Sequence, residues 1–448
     1  MASVETAVLN RLGQHGVCTG VALRREARAG QSAIYRAFRA LGDRVVRIGR
    51  GRGTRYGLRR EIPQVGYSWP LIQIDSEGTP HVLGRFHALA RNQYWFDSPL
   101  GAHARLSSGL PFILRDLVPQ GFVGKSVPTR HADLGLPPHL RDWNSDQMIS
   151  FLCQRGEDCM GNLMLGEASL HRFLEQPDPP ILEASRREHE YPRLANEALA
   201  GTPQGSLAGG AHPKFTAIVR QGSSIRPVLV KFSPAASGPV AQRWSDLLVC
   251  EHVATRVLNR AGLTNSTTEL HVSGGRTFIE SPRFDRTGTR GRIGVISLAA
   301  LSAAFPWSAA TWPGAMHALS RLGVVSARDA EMVRRLWTFG RLIANPDMHF
   351  GNLSFHLDLA GPMPLAPVYD MLPMLYAPVA GEVVMTRDFE VPPPTNESLD
   401  IWESMVALAE DYWHEVADHP RLSAGFAAIA NANATKVARA RRLATRVR

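Results

Sequence analysis

"ANPDMHFGNLSFH", residues 344–356, places an acid and an amide, Asp347 and Asn352, directly after an apolar helical pattern. The preceding segment opens at Ser326, a typical helix N-cap residue, and repeats apolar residues at helical spacing. Pro346 disfavours helix in the residue before it. We therefore predict that Asp347 lies on a loop at the end of a buried helix, with a short strand at "LSF".

A third polar residue follows in "PLAPVYDMLP", which ends another apolar run with Asp370. In phosphoryl transfer, an aspartate accepts the proton of the attacking hydroxyl, an asparagine five residues later binds Mg²⁺, and a later aspartate holds the metal at the phosphates. Asp347, Asn352 and Asp370 stand in this order and predict such a site. For His349, a packed loop residue and a residue that supports the loop or touches phosphate are both open.

Upstream, "RPVLVKFSP", residues 226–234, predicts a strand that places Lys231 among apolar neighbours. The helical pattern that follows brings Glu251 close to its buried stripe. A strand lysine paired with a helix glutamate is the arrangement with which kinases hold nucleotide phosphates. The alternative is a surface lysine on an edge strand and a solvated glutamate.

Between these features lies a glycine-rich stretch, "GTPQGSLAGGAHPKFTAIV", residues 201–219, which leads past Lys214 into an apolar run. Glycine lets backbone N–H groups approach phosphate oxygens closely, so the stretch is a candidate phosphate-covering loop. It is not a Walker A motif, because GxxxxGK[ST] is absent, and a flexible linker would explain the glycines equally well. In a two-lobed enzyme, "RTFIESPRFDR", residues 276–286, would supply the hinge that meets a base.

Length and composition bound the class of protein. The chain has 448 residues, of which 44% are hydrophobic and 20% charged, as in soluble globular proteins of two or three domains. We find neither an apolar run of transmembrane length nor a signal-peptide pattern. The cysteines are scattered and form no CxxC pair, which favours a reduced, cytoplasmic protein: Cys18, Cys153, Cys159 and Cys250.

The net charge of +10 is concentrated at the N-terminus, where residues 1–60 contain 13 arginines and three acids. Three helical patterns followed by a basic hairpin, "RVVRIGRGRGTRYGLRR", resemble a winged helix-turn-helix, which inserts its third helix into the DNA major groove. The segment therefore predicts a DNA partner, although binding to an acidic protein or to its own chain is open. The candidate DNA-contacting residues are Gln31, Ser32, Arg36, Arg39, Arg50, Arg52 and Arg55.

Taken together, these motifs resemble the HipA family of serine/threonine protein kinases, bacterial toxins with a partly kinase-like fold. The resemblance implies an α+β, two-lobed, protein-kinase-like fold, and the fused N-terminal segment points to the YjjJ-type branch. The implied domains are a winged helix-turn-helix at 1–62, a HipA-like N-terminal subdomain with the kinase N-lobe at 63–300, and a helical C-lobe at 301–448. The motifs that carry the resemblance are "SLAGGAHPK", "VLVKFSP", "CEHVATRVL", "SPRFDR", "NPDMHFGNLSF" and "APVYDMLP".

The resemblance also implies roles for individual residues. Asp347 would be the catalytic base, Asn352 and Asp370 would hold Mg²⁺, and Lys231, paired with Glu251, would contact the phosphates of ATP. The loop implied to cover those phosphates comprises Gly209, Gly210, Ala211, His212 and Lys214.

Further implied positions surround the nucleotide. Phe284 would lie at the adenine, and His349 near the phosphates. Ser206 matches the loop serine that the family autophosphorylates, which silences the enzyme. The sequence departs from the family at Pro282, where a hinge glutamate is usual, and has one extra residue between Ser206 and the loop lysine.

The sequence is compatible with four functions. The first is a HipA-like kinase that phosphorylates a protein serine and binds DNA through residues 1–62. The second is a small-molecule phosphotransferase, whose loops resemble "DMHFGN" but carry a histidine where this chain has Asn345. The third is a DNA-binding regulator with a non-catalytic kinase-like domain, and the fourth is a DNA-processing enzyme.

Overall fold

The computed structural model of the chain describes residues 3–97, 106–200, 212–235, 237–305, 307, 309–379 and 383–443, and gives no side chain for Arg52 or Leu443. The predicted loop residues Ser206, Gly209, Gly210 and Ala211 lie outside the described residues. The chain forms two compact units, one of Met1–Val118 with Ala132–Pro177, the other of Pro119–His131 with Asp178–Arg448. Within the described ranges, every helix is too short or too polar to cross a membrane.

The first unit begins with the three helices and the hairpin that the sequence predicts. Ser3 caps the first helix by accepting a hydrogen bond from Thr6 N (3.2 Å), and Thr19 caps the second through Ala22 N (3.3 Å). The strands form an antiparallel sheet in the order β1-β3-β2. The elements are α1 (Val4–His15), β1 (Cys18–Thr19), α2 (Gly20–Ala27), α3 (Gln31–Leu41), β2 (Val45–Ile48) and β3 (Arg55–Leu58).

An antiparallel five-stranded sheet, ordered β7-β6-β5-β4-β8, forms the rest of the first unit. The hairpin packs on this sheet, where Val46 and Ile48 share a buried cluster with Leu89 and Trp95. Gly57 permits this approach, because a Cβ there would lie 2.9 Å from the Leu89 side chain. The elements are β4 (Ser68–Ile74), β5 (Pro80–Leu89), β6 (Gln93–Asp97), β7 (Leu106–Ser108), α4 (Phe112–Arg115), α5 (Gly121–Arg130, part of the second unit), α6 (Ser145–Arg155), β8 (Leu163–Leu165) and α7 (Glu167–Glu175).

The second unit opens with another five-stranded sheet, ordered β12-β13-β11-β10-β9, in which only β9 runs parallel to its neighbour. Strand alternation gives this sheet two different faces. One face packs Phe215, Val230 and Phe278 against Tyr191 of α8, and the other carries the two candidate lysines. The elements are β9 (Ile181–Glu183), α8 (Arg187–Ala200), β10 (Lys214–Gln221), β11 (Ser224–Phe232), α9 (Pro239–Arg260), β12 (Glu269–Ser273) and β13 (Arg276–Pro282).

Helices dominate the remainder of the second unit. Ser326 caps α12 as predicted, accepting a hydrogen bond from Asp329 N (3.0 Å). The helix ends at Leu342 and does not continue to the residue before Pro346, because Ala344 adopts a left-handed φ of 60°. The elements are β14 (Arg286–Thr287), β15 (Gly291–Arg292), β16 (Val295–Ser297), α10 (Leu298–Ala304), α11 (Trp312–Arg321), α12 (Ala327–Leu342), β17 (Ser354–His356), α13 (Trp402–Ala417) and α14 (Ala424–Ala440).

Candidate active site

A buried lysine connects three elements of the second unit. Lys231, on β11, donates hydrogen bonds to the carboxylates of Glu251 on α9 and Asp370 on the loop after β17. Lys231 and Glu251 are only 6% and 4% exposed, so the surface-lysine alternative does not apply. A buried ammonium group needs such partners, because losing its hydration is costly unless opposite charges replace it.

A second lysine stands beside the first. Lys214 on β10 pairs with Lys231 in the antiparallel register, so that both side chains project from the same face of the sheet. Burial lowers the pKa of Lys214, and the charge of Lys231 lowers it further. Two lysines therefore lie on one face of the sheet close to the carboxylates of Glu251 and Asp370, and the four charges balance.

The charges at this site shift one another's pKa. Burial alone would lower the pKa of Lys231, but the carboxylates of Asp370 and Glu251 outweigh burial and raise it. Burial would likewise raise the pKa of Asp370, but Lys231 and Lys214 hold it well below its ordinary value. The lysine and the aspartate are therefore both charged at neutral pH.

Asp347 and Asn352 lie on the loop after α12, as the sequence predicts. The Asn352 amide nitrogen donates to the backbone carbonyl of Asp347 (2.8 Å), which closes the loop. Burial raises the pKa of Asp347, and the nearby carboxylate of Asp370 raises it further, whereas His349 opposes the shift. A raised pKa makes a carboxylate a better proton acceptor, as a general base requires.

The loop histidine is held by backbone contacts. His349 Nδ1 accepts a hydrogen bond from Gly351 N (3.0 Å), and its carbonyl oxygen accepts one from Trp312 Nε1 (3.1 Å). Both contacts support the loop. The His349 side chain is exposed and accessible for a further contact.

The loops that carry Asp347 and Asp370 also meet at a helix glycine. A Cβ on Gly340 of α12 would lie 2.3 Å from the sulfur of Met348 and 3.2 Å from that of Met371. Each methionine directly follows one of the two aspartates. The absence of a side chain at Gly340 therefore lets both loops approach the helix.

Phe284 joins the site through aromatic contacts. Its ring stacks on Tyr369 with centroids 5.8 Å apart and meets His356 edge-on at 6.3 Å. Tyr369 precedes Asp370 and donates a hydrogen bond to the carbonyl of Gly351 (2.8 Å). Phe284 thus lies against β17 and the residue that precedes Asp370.

His212 is the first described residue after the glycine-rich stretch. Its ring meets Trp244 edge-on at 4.8 Å, and Nε2 is buried without a hydrogen-bond partner among the described residues. Burial, together with the charges of Lys231 and Lys214, lowers its pKa to about 3. The ring is therefore neutral at physiological pH.

The donor set fits a hard divalent cation. Mg²⁺ prefers oxygen ligands, and Asp370 offers a carboxylate while Asn352 offers an amide. Because the Asn352 nitrogen is committed to the carbonyl of Asp347, its oxygen is the side-chain atom left to accept. Lys231 occupies one Asp370 oxygen, Oδ1. The residues present are therefore compatible with Mg²⁺.

Two features of the site escaped the sequence analysis. Asn345 contacts both loops through its side chain, and Gly340 provides the close approach of the methionines. The pair "NP" before Asp347 was a usable signal, since an asparagine there often bonds to backbone two residues on. The sequence contains no comparable signal for Gly340.

The candidate DNA-contacting residues lie in the first unit. The side chains that the structure describes, Gln31, Ser32, Arg36, Arg39, Arg50 and Arg55, are all exposed. Tyr35, which no sequence pattern singled out, is 65% exposed on the same helix, α3.

Comparisons with known proteins agree with this architecture. Residues 65–174 match the family described as YjjJ-like toxin, middle domain, and residues 206–443 match the HipA-like C-terminal domain. The chain is 34% identical over 426 residues to Toxin YjjJ of Escherichia coli (strain K12). The matched stretch covers 92% of this chain and 93% of the relative.

Two solved structures are also similar. HipA of Shewanella oneidensis MR-1, determined as a complex with HipB and its operator DNA, matches with a TM-score of 0.50 and 13% identity, covering 83% of this chain and 96% of that chain. The Helicobacter pylori proinflammatory kinase CtkA matches with a TM-score of 0.37 and 14% identity, covering 53% of this chain and 92% of that chain. The first match confirms the predicted α+β, HipA-like fold. By sequence identity and by both matched families, the chain belongs to the YjjJ-like branch of the HipA-like toxins.

Proposed function

We propose that the chain is an ATP- and Mg²⁺-dependent kinase that transfers the γ-phosphate of ATP to a protein serine. The observation that carries the proposal is the buried contact of Lys231 with both Glu251 and Asp370. Lys214 lies beside Lys231 on the same face of the sheet. This is the lysine–glutamate–aspartate arrangement that kinases use to hold nucleotide phosphates. Membership of a HipA-like family supports the same activity.

The proposed reaction assigns a task to each residue. The serine hydroxyl attacks the γ-phosphorus while its proton passes to Asp347. The bond from the γ-phosphorus to the bridging oxygen breaks, and ADP leaves with the electron pair. Lys231 and Lys214 neutralise the phosphate charge throughout. Mg²⁺, held by Asp370 and Asn352, supplies further neutralisation of the phosphates when bound.

Phosphate transfer from γ-labelled ATP tests the proposal. The assay compares the wild type with the site variants Asp347→Asn and Asp370→Asn. The matched control is Asp411→Asn, on the exposed side of α13. Each protein is tested with a panel of protein acceptors and a panel of small-molecule acceptors. We expect phosphoserine from the wild type and the control, and a loss of at least about 100-fold in the two site variants. Transfer to small alcohols or amines instead of protein would favour the second reading of the sequence.

Ser206 is the proposed site of autophosphorylation, because it matches the loop serine that HipA-like kinases autophosphorylate. Mass spectrometry of the wild type after incubation with ATP, compared with Ser206→Ala, tests this role. Label that persists unchanged in Ser206→Ala would exclude it.

We also propose that the first unit binds DNA through α3 and the β2–β3 hairpin. The exposed arginines and the excess of positive charge in residues 1–60 support this function. The neighbouring HipA structure contains operator DNA and HipB, so a HipB-like partner should be tested alongside DNA. Because the hairpin packs on the five-stranded sheet, the binding of DNA and of a HipB-like partner should be measured with the full chain.

A further inference from the structure

Asn345 lies at the junction of the two loops that carry the proposed base and the proposed metal ligand. It is 4% exposed. Its side-chain oxygen accepts a hydrogen bond from the backbone N–H of Asp347 (3.1 Å), and its side-chain nitrogen donates to the backbone carbonyl of Asp370 (3.3 Å). One amide therefore spans two loops that are 25 residues apart in the chain.

The backbone geometry explains why an amide is needed here. Ala344 and Asp370 have left-handed φ values of 60° and 54°, which non-glycine residues rarely adopt. Sharp turns of this kind leave backbone groups without a regular partner, and such groups must be satisfied when buried. A carboxamide satisfies an N–H and a C=O at once, whereas a carboxylate can only accept.

The first loop has one backbone hydrogen bond to α12 and another to the second loop, so the Asn345 side chain is not the only connection between the loops. The Asn345 backbone N–H donates to the carbonyl of Gly340 (2.9 Å), and Leu375 N donates to the carbonyl of Ala344 (3.1 Å). These backbone contacts persist whatever side chain stands at 345. The Asn345 side chain adds a direct connection between the backbone of Asp347 and the backbone of Asp370.

We infer that Asn345 is a positioning residue for phosphate transfer, which fixes the proposed base relative to the proposed metal ligand by bonding to the backbone of both. This inference rests on the proposed kinase function. Asn345 contacts neither Lys231 nor Glu251 in any hydrogen bond that the structure gives. Its loss should therefore affect turnover more than the affinity for ATP.

The test compares Asn345→Ala, which removes both hydrogen bonds, with Asn345→Asp, which keeps the acceptor for Asp347 N–H and loses the donor to Asp370. Asn162→Ala, at a position 6% exposed in the other unit, is the control for loss of a buried asparagine. Two quantities should be measured on the full chain: the initial rate of transfer from γ-labelled ATP as ATP is varied, and hydrogen exchange of peptides that contain Asp347 and Asp370.

We expect kcat to fall about 10- to 100-fold in Asn345→Ala, with KM for ATP within about threefold of the wild type. Exchange should accelerate at the Asp347 amide in Asn345→Ala but not in Asn345→Asp, whose kcat should lie between that of Asn345→Ala and the wild type. Asn162→Ala should keep the wild-type kcat and exchange in both loops.

The inference is overturned if Asn345→Ala keeps kcat within about twofold of the wild type, or if Asn162→Ala loses as much. A wild type that transfers no phosphate would instead refute the proposed function. Exchange would then decide the inference separately, since unchanged exchange at Asp347 in Asn345→Ala would show that the side chain does not position the loop.

Discussion

The ammonium group of Lys231 donates a hydrogen bond to the carboxylate of Asp370, which lies 139 residues further along the chain. The same ammonium group binds Glu251, so that one cation serves two carboxylates in a largely buried space. Removing the shared cation would leave like charges close together. The contact is therefore important for the stability of the second unit.

Lys231→Met should reduce the free energy of unfolding by about 3–5 kcal/mol at neutral pH, the usual result of removing one partner of a buried ion pair. The pKa of Asp370 is lowered in the folded protein. Its contribution to the free energy of unfolding is therefore present at neutral pH and is lost as pH falls through that lowered pKa. The difference in free energy of unfolding between the wild type and Lys231→Met should accordingly become smaller in acid. Urea unfolding at several pH values measures it, and a deficit that grows in acid would contradict this account.

His87 should make the first unit less stable in mild acid. Burial, together with the charge of Arg59, lowers the pKa of His87 to about 4. The unfolded chain therefore binds a proton between about pH 6.5 and 4 that the folded chain does not, and stability falls as pH falls through this window.

The variant His87→Gln has no such proton to bind. Between pH 7 and pH 4, its free energy of unfolding should decline less than that of the wild type by on the order of 2 kcal/mol. Paired denaturant titrations at each pH measure the difference. Parallel pH profiles for the two proteins would show that His87 is not responsible.

Gly340→Ala should impair turnover although alanine is the better helix former. Alanine in a helix interior is favoured over glycine by about 1 kcal/mol, and overpacking costs about 1–3 kcal/mol. The net effect on stability should therefore be small, but Met348 and Met371 must move and would shift the adjacent aspartates. We expect kcat to fall roughly tenfold.

Gly425→Ala on α14 is the matched control, because a Cβ there meets no atom within 4 Å. It should keep the wild-type kcat. Thermal melting and transfer from labelled ATP should be measured on both variants. An unchanged kcat in Gly340→Ala would mean that the methionines can move without displacing the aspartates.

Arg36→Ala with Arg39→Ala should weaken DNA binding by the full chain and lower its dependence on salt. Each lost phosphate contact should reduce the slope of log K against log salt concentration by about 1, so the double variant should lose about 2. Arg321→Ala with Arg328→Ala, two exposed arginines of the second unit, is the control of equal charge. Equal weakening by both pairs would point to a general charge effect.

Local sequence patterns predicted the elements that carry the site. The Ser326 cap, the strand at Lys231 and the helix at Glu251 depend on residues within a few positions, and all are present. The three N-terminal helices and the hairpin were predicted for the same reason. The division into domains at residues 62 and 300 stays a prediction.

The sequence by itself determined which chemical groups are available: two lysines, the acids, the amide and a concentration of arginines at the N-terminus. Only the tertiary structure decided how these groups meet. Lys231 reaches Asp370, and Asn345 joins two loops, because the packing of α12 and the pairing of β10 with β11 bring distant backbone segments together. Hydrogen bonds between loops depend on distances of a few tenths of an ångström, and these distances arise from the packed core rather than from neighbouring residues.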